Sequence, residues 1–149
     1  MNTYIEVKLV EAEPMTLGAY NGPRLYTTPE SEDPVREGYK VCYSNNYTYW
    51  CPKEEFEKYN LQIEKRDSIS QSDVDSFILD SEVVKMGEKT TVARFTMING
   101  FDSVESSACV SPENYNEEIG ADICKERVKN YIWNHLGFLL QCAVSGFKR

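Results

Sequence analysis

The Asn99-Gly100 dipeptide places the tightest restriction on how this chain can fold. It follows Lys89–Ile98, which is rich in β-branched residues, and it precedes a second strand-like run over Phe101–Val110. Asn and Gly tolerate the positive φ angles that a two-residue hairpin turn requires, so such a pair between strand-forming runs strongly predicts a hairpin. Residues 89–110 are therefore predicted to form an antiparallel β-hairpin.

A long helix is predicted after the hairpin, from about Glu117 to about Ser145, with a bend near Gly137. At 100° per residue, one broad stripe holds Ala121, Cys124, Val128, Tyr131, Ile132, His135, Leu139, Cys142 and Ala143. The back of the helix carries Ile119, Ile123, Trp133 and Leu140. Because a small sheet covers only one side of a helix, the second side predicts contact with another copy of the chain or with the N-terminal residues.

The N-terminal residues predict a separate small α+β unit. Its predicted elements are a strand over Tyr4–Val10 ended by Pro14, a charged loop over Thr28–Glu37, a hairpin of Gly38–Tyr43 and Tyr47–Trp50 around Asn45-Asn46, and a helix over Pro52–Tyr59. Residues 60–72 are polar and aperiodic, so a boundary is predicted near Ser68. A short helix with Ser72 as its N-cap and Asp75 at the capping-box position is predicted next.

The predicted fold class is therefore α+β. A small antiparallel sheet with a long C-terminal helix, residues 69–149, follows a small α+β unit, residues 1–66. The net charge of −8 argues against a duplex nucleic-acid partner, which requires a basic surface. No apolar run is long enough to span a membrane, and no secretory signal is visible.

The cysteines and the single histidine predict neither a metal site nor catalysis. The five cysteines are odd in number and lack CxxC spacing, which favours reduced thiols and no bound metal. His135 lies in the apolar stripe and is predicted to be packed, and Cys109 has no other histidine to serve as its base. The chain is therefore expected not to be an enzyme and to need no cofactor.

Several motifs resemble a widespread family of small tailed-phage proteins. They cover about residues 85–145 and occur in the order Asn99-Gly100-Phe101, Ser106–Tyr115, Glu118-Ile119-Gly120, Trp133 and Leu136–Leu140. That family is similar to the one containing the type-one Thoeris anti-defence proteins, phage sponges that sequester the cyclised ADP-ribose signal of bacterial TIR-domain enzymes. The resemblance implies a small antiparallel sheet, long C-terminal helices that pair into a dimer, and assembly of dimers into hexamers.

The N-terminal part also resembles a small phage-associated module, through the order of Tyr4–Thr16, Glu37–Tyr43 and Tyr47–Glu57. No function is implied by this second resemblance. The module is an addition to a minimal sponge.

Candidate ligand contacts cluster around the return strand and the long helix. Phe101 and Tyr115 could stack on a base or pack in the core, and Ser107 and Asn114 could bind ribose hydroxyls or cap the chain. Between Phe95 and Phe147 the only basic residues are Lys125, Arg127 and Lys129, which either meet a diphosphate or pair with neighbouring acids.

The resulting hypothesis is a non-catalytic anti-defence sponge. It would bind a cyclic ADP-ribose-type signal, and also cyclic oligonucleotides, in the cytoplasm of the infected bacterial host. The expected assembly is a homo-oligomer, at least a dimer and, by the family resemblance, a hexamer. The alternative hypothesis is an acidic phage protein-interaction module or inhibitor without a nucleotide ligand.

Overall fold

The computed structural model describes residues 1–24, Thr27 and 29–148. Thr28, where the predicted loop begins, and Arg149, where the predicted C-terminal part ends, lie outside the described residues, as do Leu25 and Tyr26. The chain divides into two compact units, Met1–Gln62 and Ile63–Phe147. Each contains a three-stranded antiparallel sheet, which confirms the α+β class. No helix in the described ranges is long and apolar enough to cross a membrane.

The N-terminal unit, Met1–Gln62, has its strands in the order β1-β2-β3. Its elements are β1 (Glu11–Pro14), α1 (Leu17–Asn21), β2 (Gly38–Cys42), β3 (Thr48–Pro52) and α2 (Lys53–Tyr59), with a 3-10 turn over Gly22–Arg24. The predicted hairpin is confirmed, and Asn46 at its turn has a φ of 65°. The predicted helix is confirmed too, with Pro52 as its N-cap residue.

The first strand was predicted at the wrong place. Tyr4–Val10 is not a strand, and β1 begins only at Glu11. The reason is the length of its partner, because Glu11 pairs with Cys42, the last residue of β2, before the chain turns at Tyr43. Residues before Glu11 therefore have no strand to pair with, whatever their alternation. Helix α1, which was not predicted, begins after Thr16, whose hydroxyl accepts a hydrogen bond from the Ala19 amide.

The sheet–helix unit, Ile63–Phe147, has its strands in the order β4-β5-β6. Its elements are α3 (Gln71–Ser76), β4 (Ile78–Met86), β5 (Thr90–Met97), β6 (Asp102–Ala108), a 3-10 turn (Pro112–Asn114) and α4 (Glu117–Ser145). The hairpin predicted from Asn99-Gly100 is confirmed, but its loop has three residues, Ile98, Asn99 and Gly100, and only Gly100 among them has a positive φ, of 80°. The long helix is confirmed as well, and it continues through Gly137.

At the start of this unit one prediction was wrong and one strand was missed. The short helix begins two residues earlier, because Ser70 is the N-cap and Asp73 closes the capping box, in place of Ser72 and Asp75. The Ser70 hydroxyl accepts from the Asp73 amide at 3.1 Å, and the Asp73 carboxylate accepts from the Ser70 amide at 2.8 Å. Strand β4 was not predicted, and it places a third strand beside the predicted hairpin.

The core of the sheet–helix unit lies between β5 and one face of α4. Alternate residues of β5 point toward the helix and are buried, and every fourth residue of α4 is buried against them: Ala93, Phe95, Met97, Cys124, Val128, Ile132 and Leu136. Residues four apart drift by about 40° around a helix, so this row is slanted across α4. His135, predicted to be packed, is exposed because the slanted row passes through Leu136 at this height, and consecutive residues lie about 100° apart around a helix.

Gly120 is the point of closest approach between α4 and the sheet. A Cβ atom at this position would overlap the side chain of Thr91, which is itself 1% exposed. Only glycine allows the first turns of the helix to lie directly against the start of β5. This contact sets the distance between the first turns of α4 and the sheet, and it therefore positions the residues around the N-terminus of α4.

Candidate functional site

A cleft opens beside the N-terminus of α4, where the start of β5, the end of β6 and the 3-10 turn meet. Its volume is about 150 Å³, and its lining is Lys89, Thr91, Ser107, Ala108, Cys109, Asn114, Tyr115, Asn116, Ile119, Gly120 and Ile123. Backbone hydrogen bonds from the Cys109 amide to the Lys89 carbonyl (3.0 Å) and from the Tyr115 amide to the Pro112 carbonyl (3.1 Å) hold the surrounding loop. The Asn116 side chain caps α4 by accepting from the Ile119 amide at 3.0 Å.

Three of the predicted contact residues meet in this cleft. Ser107 from the end of β6, Asn114 from the 3-10 turn and Tyr115 after it all contribute to the lining. Tyr115 is half-buried, and its hydroxyl lies 3.5 Å from a carboxylate oxygen of Glu117. The cleft thus combines one aromatic ring with uncharged polar side chains, which suits a ligand with a base and hydroxyl groups.

The cations nearest to this cleft were missed at the sequence level. The Lys85 Nζ atom lies 4.2 Å from the centroid of the Tyr115 ring, and Lys89 is part of the lining. The Lys89 ammonium donates to the Val110 carbonyl oxygen at 3.4 Å. Only the position of β4, which the sequence did not reveal, brings Lys85 beside Tyr115.

The three predicted cations of α4 lie elsewhere and are not part of the cleft lining. Arg127 donates from Nη1 to the Ser106 carbonyl oxygen at 2.5 Å, next to Ser107 of the cleft. Lys129 lies 3.0 Å from an Asp75 carboxylate oxygen and 3.4 Å from Glu126. The hydrogen bond from Lys129 lowers the pKa of Asp75, and the same bond raises the pKa of Lys129. Lys125 is exposed.

Phe101 lies at the other end of β6 from the cleft. It directly precedes the strand, whereas Ser107 is near the strand's last residue. Six residues of strand at about 3.4 Å each separate the two Cα atoms by roughly 20 Å. Because of this separation, one chain does not bring Phe101 to the end of the strand where Ser107 and Tyr115 line the cleft. The Phe101 side chain is 61% exposed.

A larger recess of about 330 Å³ lies near the C-terminal half of α4. It is lined by Asp67, Ser68, Ile69, Trp133, Gly137, Leu140, Gln141 and Val144. The only charged group in this lining is the Asp67 carboxylate, which would repel an anionic ligand. The recess is therefore less suited to a phosphate-bearing molecule than the smaller cleft.

The cleft lining described here contains a thiol but neither an imidazole nor a carboxylate. The Cys109 thiol donates to the Ser111 carbonyl oxygen at 3.1 Å. A nucleophilic cysteine needs a base within hydrogen-bond reach, and the lining offers none. Across the described ranges no group of three or more His, Cys, Asp or Glu side chains is arranged to hold a metal ion.

The geometry thus defines a small α+β protein in which a three-stranded sheet and a long helix frame a cleft. Residues 69–144 match the Phage protein (N4 Gp49/phage Sf6 gene 66) family, and the chain belongs to that family. The match includes the cleft and α4 but not the N-terminal unit. Neither a curated protein nor a solved structure matches the chain.

Proposed function

We propose that this phage protein is a non-catalytic sponge that sequesters an anionic cyclic nucleotide of the cyclic ADP-ribose type, or a related cyclic oligonucleotide. The observation that carries the proposal is the convergence of Tyr115, Asn114 and Ser107 in one cleft with Lys89. By binding a defence signal in the cytoplasm of the infected host, the protein would keep that signal from its receptor.

Each part of such a ligand has a matching group in the cleft. A base stacked on the Tyr115 ring contributes about 1–3 kcal/mol to binding. Asn114 and Ser107 offer donors and acceptors for ribose hydroxyls. Lys89 offers a positive charge for phosphate. The lack of an imidazole or carboxylate in the lining as described favours retention of the ligand over its hydrolysis.

The size of the cleft supports a homo-oligomer. Its volume of about 150 Å³ is below the ~300–1,000 Å³ of ordinary ligand pockets, so one chain supplies part of a site. Ile119 and Ile123 line it and are 60% and 40% exposed. Along α4, Tyr131 and Phe138 are also exposed, at 48% and 73%. A second chain packed on this face would cover these side chains and close the cleft.

The proposed assembly is at least a dimer, with a hexamer as the family-based extension. Phe101 can then join the site only from a neighbouring chain, and Arg127 and Lys125 keep their proposed roles only if assembly brings a ligand to them.

Light scattering at micromolar concentration should give at least twice the mass of one chain, and Phe138→Glu should reduce the measured mass. Lys125→Gln, an exposed substitution with the same change in charge on the opposite side of the helix, should not, and a monomeric wild-type protein would refute the assembly.

The experiment for the sponge function is recovery of the ligand. The protein is mixed with a panel of cyclic nucleotides that includes cyclic ADP-ribose, freed of unbound ligand, denatured by heat and chromatographed. Release of intact ligand supports a sponge, and release of an altered product supports an enzyme instead.

One observation favours the alternative, a protein-interaction module without a nucleotide ligand. Val84, Met86 and Val104 are 47%, 61% and 61% exposed. They lie on the sheet face opposite to α4, because their cross-strand partners Val92, Thr90 and Arg94 alternate with the buried residues of β5. Recovery of no ligand from the panel would favour this alternative.

A further inference from the structure

We propose that Lys85 and Lys89, and not the cations of α4, bind the phosphate groups of the ligand in the cleft. The inference rests on the proposed function for the identity of the ligand. Anion binding by these two lysines is a separate property that can be measured on its own.

Lys85 faces the cleft because of its register in the sheet. It pairs across strands with Thr91, and directly paired residues of an antiparallel sheet lie on the same face. Thr91 is buried under Gly120 of α4 and lines the cleft, so Lys85 points to the helix side of the sheet at this end. The contact of its Nζ with the Tyr115 ring, 4.2 Å from the centroid, agrees with this placement.

Among the residues that the structure describes, Lys85 and Lys89 form no ion pair, since no carboxylate oxygen lies within 4.0 Å of either ammonium group. Lys85 contacts a ring and Lys89 contacts the Val110 carbonyl oxygen. Both side chains are exposed and both contacts are weak, so an incoming phosphate can replace them at little cost.

Two of the three cations of α4, Lys129 and Arg127, already hold contacts within the protein, and the third, Lys125, is exposed and is not part of the cleft lining. Lys129 would have to leave two carboxylates, and Arg127 would have to leave the Ser106 carbonyl oxygen. A phosphate gains less from a cation that must first break such contacts. Lys85 and Lys89 are therefore better placed to bind a phosphate than the cations of α4.

The contact between Lys85 and Tyr115 would couple phosphate binding to base stacking. In the free protein the ammonium group covers one face of the Tyr115 ring. When Lys85 turns toward a phosphate, that face becomes available for a base. Anion binding and base stacking at Tyr115 would then occur together, through exchange of a cation–π contact for a charge-assisted hydrogen bond.

The test is calorimetric titration of the full chain with two probes, cyclic ADP-ribose and inorganic pyrophosphate. The variants are Lys85→Gln, Lys89→Gln and, as the matched control with the same loss of charge, Lys65→Gln, at an exposed position outside the cleft lining. Each cleft variant should weaken binding about tenfold or more, the loss expected for one charge-assisted hydrogen bond to phosphate. Lys65→Gln should bind as the wild type does, and Lys85→Arg should restore most of the affinity.

The outcomes separate this inference from the proposed function. If the wild type binds cyclic ADP-ribose and both cleft variants bind it equally well, the lysine assignment is overturned and the sponge remains. If the wild type binds only pyrophosphate and the cleft variants lose it, the lysines are upheld and the proposed ligand fails. A loss in Lys65→Gln as large as in the cleft variants, or no binding of either probe by the wild type, also overturns the assignment.

Discussion

In the sheet–helix unit seven residues of β5 and α4, together with Val74 of α3, form one continuous buried cluster. In the N-terminal unit, as far as it is described, the buried apolar residues are Leu17, Val41 and Cys51. Specific polar and ring contacts take a larger part there: Tyr39 stacks on Phe56 at 4.3 Å, and the Trp50 indole donates to the Met15 carbonyl oxygen at 2.8 Å.

The difference teaches how stability is distributed along this chain. Burial of a contiguous apolar surface is the main favourable term in folding, so the sheet–helix unit can support an exposed cleft and an exposed helix face. A unit with so little buried area depends on individual contacts, each worth less. The family match lies in the sheet–helix unit, which also contains the candidate cleft.

The largest expected effect comes from the center of the larger core. Ile132 is fully buried, and Ile132→Ala should lower the free energy of unfolding of the sheet–helix unit by about 2–5 kcal/mol. Circular dichroism at 222 nm during urea denaturation reports α4, and Trp50 fluorescence in a Trp133→Phe background reports the N-terminal unit. Val41→Ala, the matched core deletion in the other unit, should shift only the Trp50 signal. If each variant shifted both signals, the two units would unfold as one.

The next effect tests the close approach of α4 to the sheet. Gly120→Ala forces a methyl group into the Thr91 side chain and should destabilise the sheet–helix unit by about 1–3 kcal/mol. Gly137→Ala is the control on the same helix, because a Cβ there meets nothing within 4 Å. It should stabilise the helix by up to ~1 kcal/mol. Equal effects of the two substitutions in thermal denaturation would show that the contact at Gly120 is unimportant.

A smaller effect distinguishes the observed helix cap from the predicted one. Ser70→Ala removes the hydroxyl that accepts from the Asp73 amide and should cost about 1 kcal/mol of stability. Ser72→Ala, two residues away inside α3, removes no capping bond and should change the unfolding midpoint little. A larger loss from Ser72→Ala than from Ser70→Ala in urea denaturation would refute this cap.

The smallest expected effect is that of deleting the N-terminal unit. A fragment beginning at Ile63 retains the whole buried cluster and should keep the circular dichroism spectrum and unfolding midpoint of α4. An unfolded or insoluble fragment would show that the smaller unit is needed for the larger one to fold.

The sequence predicts those elements whose cause is local. Asn99-Gly100 predicts its hairpin because glycine readily adopts the positive φ that the loop requires, and the span of α4 follows from its apolar periodicity. Tyr4–Val10 shows where local reasoning is insufficient. Its alternation of apolar and polar residues suits a strand, but a strand forms only where a second strand is available for pairing.

The candidate site was predicted in part for the same reason. Ser107, Asn114 and Tyr115 are close in sequence to the turn that gathers them, so reasoning from neighbouring residues placed them together. Lys85 joins them through strand pairing in β4, whose polar centre, Asp80-Ser81-Glu82, hides its strand character. Phe101 is not brought to the cleft of its own chain, because six residues along an extended strand separate it from Ser107 in space.

Contact between Thr91 and Gly120 also has an evolutionary consequence. Both positions lie within the matched region, and the space between them cannot hold a threonine side chain and a Cβ atom together. The two positions should therefore covary among relatives of this protein: where position 120 carries alanine, position 91 should carry a residue smaller than threonine. An alignment in which alanine at 120 accompanies threonine or larger residues at 91 as often as chance allows would show that helices in this family sit higher on their sheets.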